Sequence, residues 1–105
     1  MSALIVFCTV PAAAADRLAR LLVEERLAAC VQALPGLRST YRWEGELQQS
    51  DESLLLVKTT AERYPALERT LAAHHPYDLP EILAVDAAAG LLASGSLLYA
   101  LARWR

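Results

Sequence analysis

The sequence has little of what several classes of protein need. Its two cysteines, Cys8 and Cys30, form neither a C-x-x-C pair nor a zinc-ribbon spacing. Ten basic residues are scattered among twelve acidic ones, for a net charge of −2, and no basic run predicts nucleic-acid binding. No apolar run approaches the roughly 20 residues of a membrane span, and the apolar stretch 3–10 lacks the basic flank of a signal peptide. We therefore expect a cytoplasmic protein without nucleic-acid partners or membrane insertion.

Catalytic motifs are missing as well. The sequence contains no nucleophile elbow, no phosphate-binding loop and no H-E-x-x-H. Asp78 and Glu81 follow the histidine pair His74-His75, so general acid–base chemistry stays open as an alternative. The expectation is nevertheless that the protein is not an enzyme.

Apolar residues, in contrast, are plentiful. They make up 55% of the chain, against about 45–50% in typical globular domains. A length of 105 residues suits one domain, and we expect residues 1–105 to form it. The surplus of apolar side chains favours an additional buried surface between copies of the chain.

The first half of the chain predicts a strand, a helix and a hairpin. Residues 3–10 are continuously apolar and rich in β-branched side chains, which is typical of a central strand. An amphipathic helix is predicted over 16–29, with Pro11 in its first turn. Residues 30–43 predict an edge strand bent at Pro35-Gly36. A turn at 44–46 then leads to a central strand over 53–60, with 48–52 as the alternative turn.

The second half repeats this pattern. Thr59-x-x-Glu62 has the form of a capping box and predicts a helix that ends at His74-His75-Pro76. A fourth strand over 82–85, a loop over 86–90 and a last helix over 91–104 follow. Two strand–helix–strand units joined by a hairpin predict a ferredoxin-like βαββαβ fold of the α+β class. Right-handed crossovers give a fully antiparallel sheet of order 4-1-3-2, with both helices on one face.

The opposite face of this sheet is predicted to be apolar too, because the two central strands are apolar at nearly every position. An uncovered apolar face usually marks an interface, and the outer strands leave two open edges. We therefore expect a homo-oligomer. The alternative is that the C-terminal helix covers part of this face.

Five short motifs occur in order between residues 6 and 85: Cys8-Thr9-x-Pro11, VEERLAACV (23–31), LPG followed by YRWEG (34–36 and 41–45), LVKTT (56–60), and HPYDLPEI (75–82). Together they resemble the CutA family of divalent-cation tolerance proteins. The resemblance implies a homotrimer of ferredoxin-like subunits with a role in metal tolerance, copper being the metal most often proposed. The chain departs from the family pattern at Gln32, at the alanines 12–15 and after Asp86.

Three side chains form a candidate metal site. In the 4-1-3-2 order, the end of strand one lies beside the start of strand four, which brings Cys8 near His74 and His75. A thiolate and two imidazoles suit copper or zinc, and the resemblance points to the same three positions for copper. The alternative is that Cys8 is a small core residue and that the histidines only complete a helix end.

The remaining candidates have modest roles. Cys30 is expected to pack at the opposite end of the sheet, without a disulfide to Cys8, and Lys58 to be a solvated strand end. Glu81 is an undecided candidate, a metal ligand or a cap for a partner group. Four aromatic residues are candidates to line a cleft between subunits: Tyr41, Trp43, Tyr77 and Trp104. Two other functions stay open, a small-ligand signalling trimer similar to PII proteins in shape alone and a structural trimer with indirect metal effects.

Overall fold

The structure is a computed structural model of the chain that describes residues 3–90. Its elements, in chain order, are β1 (Ala3–Val10), α1 (Ala12–Glu24), β2 (Cys30–Trp43), β3 (Glu46–Thr60), α2 (Tyr64–His74) and β4 (Ile82–Asp86). The four strands form one antiparallel sheet of order β2-β3-β1-β4. This confirms the predicted α+β architecture and the 4-1-3-2 order. The predicted last helix and Trp104 lie outside the described residues.

The hairpin of β2 and β3 is the longest feature of the sheet. It turns at Glu44 and Gly45, which both have positive φ (51° and 80°), as a two-residue type I′ turn requires. The predicted bend in β2 is confirmed, because the pairing with β3 shifts register between Leu34 and Leu37. The predicted start of β3 at 53 is wrong by seven residues. The polar segment 46–52 pairs with β2 through backbone hydrogen bonds, which a hydrophobic pattern does not report.

Helix α1 covers 12–24, not the predicted 16–29. It ends in a Schellman motif, in which the Arg26 N–H donates to the Val23 carbonyl and the Leu27 N–H donates to the Leu22 carbonyl. Arg26 occupies the left-handed position, with φ of 60°. A glycine usually occupies this position and signals the end of a helix. Because an arginine stands there, the sequence did not predict where α1 ends.

Helix α2 ends at His74 as predicted, but the capping box is wrong. Thr59 belongs to β3, and its hydroxyl donates to the Leu27 carbonyl at 2.6 Å. The next hydroxyl along, that of Thr60, accepts from the Arg63 N–H at 3.3 Å. The start of α2 therefore depends on Thr60 and on Pro65 in its first turn.

The core lies between the helices and one face of the sheet. Twelve residues are buried there: Val6, Cys8, Val10, Ala14, Ala15, Leu18, Leu22, Ala28, Leu55, Val57, Leu67 and Leu71. The alternation of β1 and β3 places their other side chains on the helix-free face.

No helix within residues 3–90 is long and apolar enough to cross a membrane.

The helix-free face is apolar and uncovered by residues 3–90. Phe7 on β1 is 37% exposed, and Leu83 and Val85 on β4 are 57% and 48% exposed. Ile5 on β1 and Leu56 on β3 are only partly buried on the same face. The predicted apolar face is thus present, and the two outer strands β2 and β4 carry the open edges.

Candidate functional site

The end of β1, the start of β4 and the loop after α2 meet at one corner of the sheet. Cys8 pairs with Ile82 at the start of β4, and His75 follows α2 directly. A ring nitrogen of His75, Nε2, lies 2.9 Å from the Thr9 carbonyl oxygen. The predicted neighbourhood of Cys8 and His75 is therefore present.

His75 uses both of its ring nitrogens in hydrogen bonds. The backbone N–H of Tyr77 donates to Nδ1 at 3.1 Å, so Nδ1 has no proton in this arrangement. The proton of the neutral ring is then on Nε2, which donates to the Thr9 carbonyl. His75 is only 7% exposed, and its ring also packs on Tyr77 with centroids 4.9 Å apart. In this state His75 offers no free nitrogen to a metal ion and ties the loop to β1.

His74 is oriented differently. It is the last residue of α2 and is exposed. Its Nδ1 lies 2.9 Å from the Thr70 carbonyl, which only accepts, so the proton is on Nδ1 and Nε2 keeps its lone pair. The shallow groove beside it carries charges of both signs, because Arg17 and Arg20 line it together with Asp16 and Glu24. Arg17 donates to the His74 carbonyl at 3.4 Å, and Arg20 is paired with Asp16.

Cys8 lies in the core at 1% exposure. Burial raises the pKa of its thiol to about 12, and the nearby charges of Glu81 and Glu52 act in the same direction. Since the thiolate is the form that binds metals, this environment opposes metal binding by Cys8.

The three predicted metal ligands therefore do not converge within one protomer. Among residues 3–90, no group of three or more His, Cys, Asp and Glu side chains is arranged to hold a metal ion. Cys8 is buried and protonated, His75 is occupied, and only His74 presents a nitrogen to solvent. Within one protomer the donor set does not fit copper as a closed three-ligand site.

A second feature at this corner is a cleft of about 940 Å³ between the distal hairpin and the α2–β4 loop. Eleven residues line it: Thr9, Ser39, Thr40, Tyr41, Trp43, Gln48, Glu52, Tyr77, Asp78, Leu79 and Glu81. Three of the four predicted aromatic residues, Tyr41, Trp43 and Tyr77, line this cleft of one protomer, whereas the predicted cleft between subunits stays a prediction. Glu81, whose role the sequence left undecided, also lines this cleft.

A tyrosine–carboxylate pair organises the cleft. The Tyr77 hydroxyl donates to Glu52 Oε2 at 2.7 Å. Burial, this hydrogen bond and the charge of Glu52 raise the pKa of Tyr77 to about 12, so the phenol stays protonated at neutral pH. Sequence reasoning missed Glu52, because it falls in the polar segment 48–52, which the sequence offered as an alternative turn. Its position directly before the predicted strand 53–60 was the available signal.

The other two candidates lie at the far end of the sheet. Cys30 pairs with Lys58 across β2 and β3, and both cysteines are free thiols, as expected. The Lys58 ammonium donates to the Gln32 side-chain carbonyl. This polar pair is exposed on the helix-free face, and Lys58 lies two residues before the end of β3.

Comparison with known proteins identifies the family of this chain. The family model described as CutA1 divalent ion tolerance protein matches residues 4–94. The chain belongs to the CutA1 family. Its membership confirms the resemblance that the five sequence motifs indicated.

Individual CutA1 relatives agree in sequence and in fold. The divalent-cation tolerance protein CutA of Thermus thermophilus is 52% identical over 87 residues, which cover 82% of this chain and 84% of that protein. The crystal structure of CutA1 from Oryza sativa matches with a TM-score of 0.94 at 38% identity, covering 100% of this chain and 97% of that chain. An Arabidopsis thaliana relative named as chloroplastic is 41% identical over 88 residues, 83% of this chain and 48% of that protein. Relatives named as chloroplastic and as periplasmic thus both match this chain.

Proposed function

We propose that this chain is a homotrimeric, cytoplasmic protein of divalent-cation tolerance that binds copper or a similar cation weakly. Family membership carries the tolerance role, because the matching family model and the Thermus relative are both named for it. Residues 1–105 form one domain of ferredoxin-like topology in this proposal. Zinc is the alternative cation.

The helix-free face supports the assembly. Phe7, Leu83 and Val85 are each more than a third exposed on it, and such a patch is large for the surface of a monomer. The number three comes from the family resemblance. Sedimentation equilibrium should therefore give three times the 11.5 kDa mass of one chain.

A matched pair of variants tests which surface holds the assembly. Leu83→Lys places a charge on the helix-free face, whereas Leu79→Lys places one on the exposed loop before β4. We expect Leu83→Lys to dissociate the assembly and Leu79→Lys to leave its mass unchanged. A monomer mass for the unaltered chain at micromolar concentration contradicts the proposal.

The metal part of the proposal keeps Cys8, His74 and His75, but with unequal roles. His74 is the accessible ligand, since its Nε2 is free, and a second protomer or solvent completes the coordination. Cys8 and His75 join only if the corner opens, which explains why the affinity is expected to be weak. Calorimetric titration with Cu²⁺ and Zn²⁺ should show His74→Ala weakening binding by about tenfold. Equal affinities for His74→Ala and the unaltered chain contradict this assignment.

A second candidate function is a small-ligand signalling trimer. The observation that favours it is the aromatic and acidic cleft beside Tyr77, whose volume falls within the range of ligand pockets. If neither copper nor any small ligand binds, a structural trimer with indirect metal effects is the remaining explanation.

A further inference from the structure

A single lysine stands among the apolar residues of the helix-free face. Lys58 follows Leu56 by two residues on β3 and pairs with Ile5 on β1, so the alternation of the strand places all three on the same face. It is the only lysine of the chain, because the ten basic residues are nine arginines and this one. Its position therefore needs an explanation other than general surface charge.

The Lys58 ammonium has a partner on its own chain. It donates to the side-chain carbonyl of Gln32, which lies opposite Leu56 across β2 and β3 and therefore shares the face. Neither of the two ion pairs described within residues 3–90 includes Lys58. Gln32 thus orients the ammonium without neutralising its charge.

This polar pair becomes selective once the face is covered. Apolar contacts are non-directional, so the apolar residues of the face permit several slipped or rotated arrangements of two copies. An ammonium has three N–H donors, and the one hydrogen bond described for Lys58 within residues 3–90 goes to Gln32. Where a covering copy excludes water, a donor without an acceptor is costly. Arrangements that supply further acceptors to Lys58 are therefore favoured over the others.

We infer that Lys58, oriented by Gln32, selects one arrangement of the copies that meet at the helix-free face, with the further acceptors supplied by a neighbouring copy. The inference rests on the assembly proposed above, in which other copies of the chain cover this face. A single buried polar residue fixes the register and the number of strands of coiled coils in the same way.

Acylation of its amine tests whether Lys58 lies in the interface. The unaltered chain and the dissociated Leu83→Lys variant are treated with an amine-acylating reagent, and mass spectrometry of the peptide that contains residue 58 gives the rate. We expect Lys58 to react at least about tenfold more slowly in the unaltered chain, because the core of an interface excludes water and reagent.

The variant Lys58→Met tests selection, because it nearly keeps the length of the side chain and removes its donors. Replacing a buried charge by an apolar side chain often leaves stability unchanged or raises it, so we expect thermal unfolding at no lower temperature than that of the unaltered chain. In sedimentation velocity the variant should give several species, where the unaltered chain gives one. Arg69→Met removes one positive charge from an exposed position of α2 and should leave a single species.

Two results overturn the inference while the assembly stands. One is an equal acylation rate of Lys58 in the unaltered chain and in Leu83→Lys. The other is a Lys58→Met variant that sediments as one species, whether monomer or the unaltered mass, or no differently from Arg69→Met. A monomer mass for the unaltered chain instead overturns the assembly itself and this inference with it, so the two failures are distinguishable.

Discussion

Replacing His75 with alanine should destabilise the protein far more than replacing its neighbour His74. The His75 ring joins the Thr9 carbonyl to the Tyr77 N–H through two hydrogen bonds of 2.9 and 3.1 Å, and the side chain is buried. His75→Ala removes both bonds and leaves a void beside β1. A buried polar group that loses its partner costs about 1–3 kcal/mol, and the lost ring adds to this. We expect a total of about 2–4 kcal/mol, reduced where water reaches the Tyr77 N–H.

His74 provides the matched comparison. It is exposed, and its only described side-chain bond within residues 3–90 is the local one to Thr70. His74→Ala should therefore change the free energy of unfolding by about 0.5 kcal/mol or less. The two substitutions delete the same atoms one residue apart, so their difference isolates the environment of the ring.

The assay is equilibrium unfolding in guanidinium chloride at one fixed protein concentration, since the stability of an oligomer depends on concentration. Copper titration of the same two variants should give the opposite order, with His74→Ala the weaker binder. If the two variants unfold at the same midpoint, or if His75→Ala abolishes copper binding without loss of stability, the structural role assigned to His75 is wrong.

Three further predictions concern single groups. Burial raises the pKa of Cys8 from 9 to about 12, so the stability that the buried thiol contributes is full below pH 9 and is lost as the pH rises from 9 to 12. The unfolding midpoints at pH 8 and pH 10.5 should therefore differ less in Cys8→Ala than in the unaltered chain. Thr59→Val removes the hydroxyl that donates to the Leu27 carbonyl, and thermal unfolding should show a loss of about 1–2 kcal/mol. Glu44→Asn and Arg26→Gly relieve positive φ angles and should each raise stability by about 0.5–1 kcal/mol in chemical unfolding; no gain from either contradicts the backbone assignment.

The order of the elements was predictable because it depends on strong, repeated signals. Apolar runs gave the central strands, and the handedness of crossovers left one sheet order. The ends of elements depend on single residues whose signals were weak. Arg26 ends α1 in a position that usually selects glycine. Glu46 begins β3 in a polar segment that pairs with β2 through its backbone and through polar side chains, such as Asp51 with Arg38.

The corner of the site shows a different limit of sequence reasoning. Topology brings Cys8 near His75, and the motif positions suggest the chemistry of a thiol and imidazoles. Which nitrogen of His75 is available, however, depends on the directions of the Tyr77 N–H and the Thr9 carbonyl. The pattern of residue types does not report the orientation of backbone groups. The same holds for Glu52, whose partner Tyr77 lies 25 residues away. The residue types at this corner indicate metal ligands. Their hydrogen bonds instead show His75 and Tyr77 holding the loop and Glu52 lining the cleft. Stability and metal binding must therefore be measured on the same variants to separate a ligand role from a structural role.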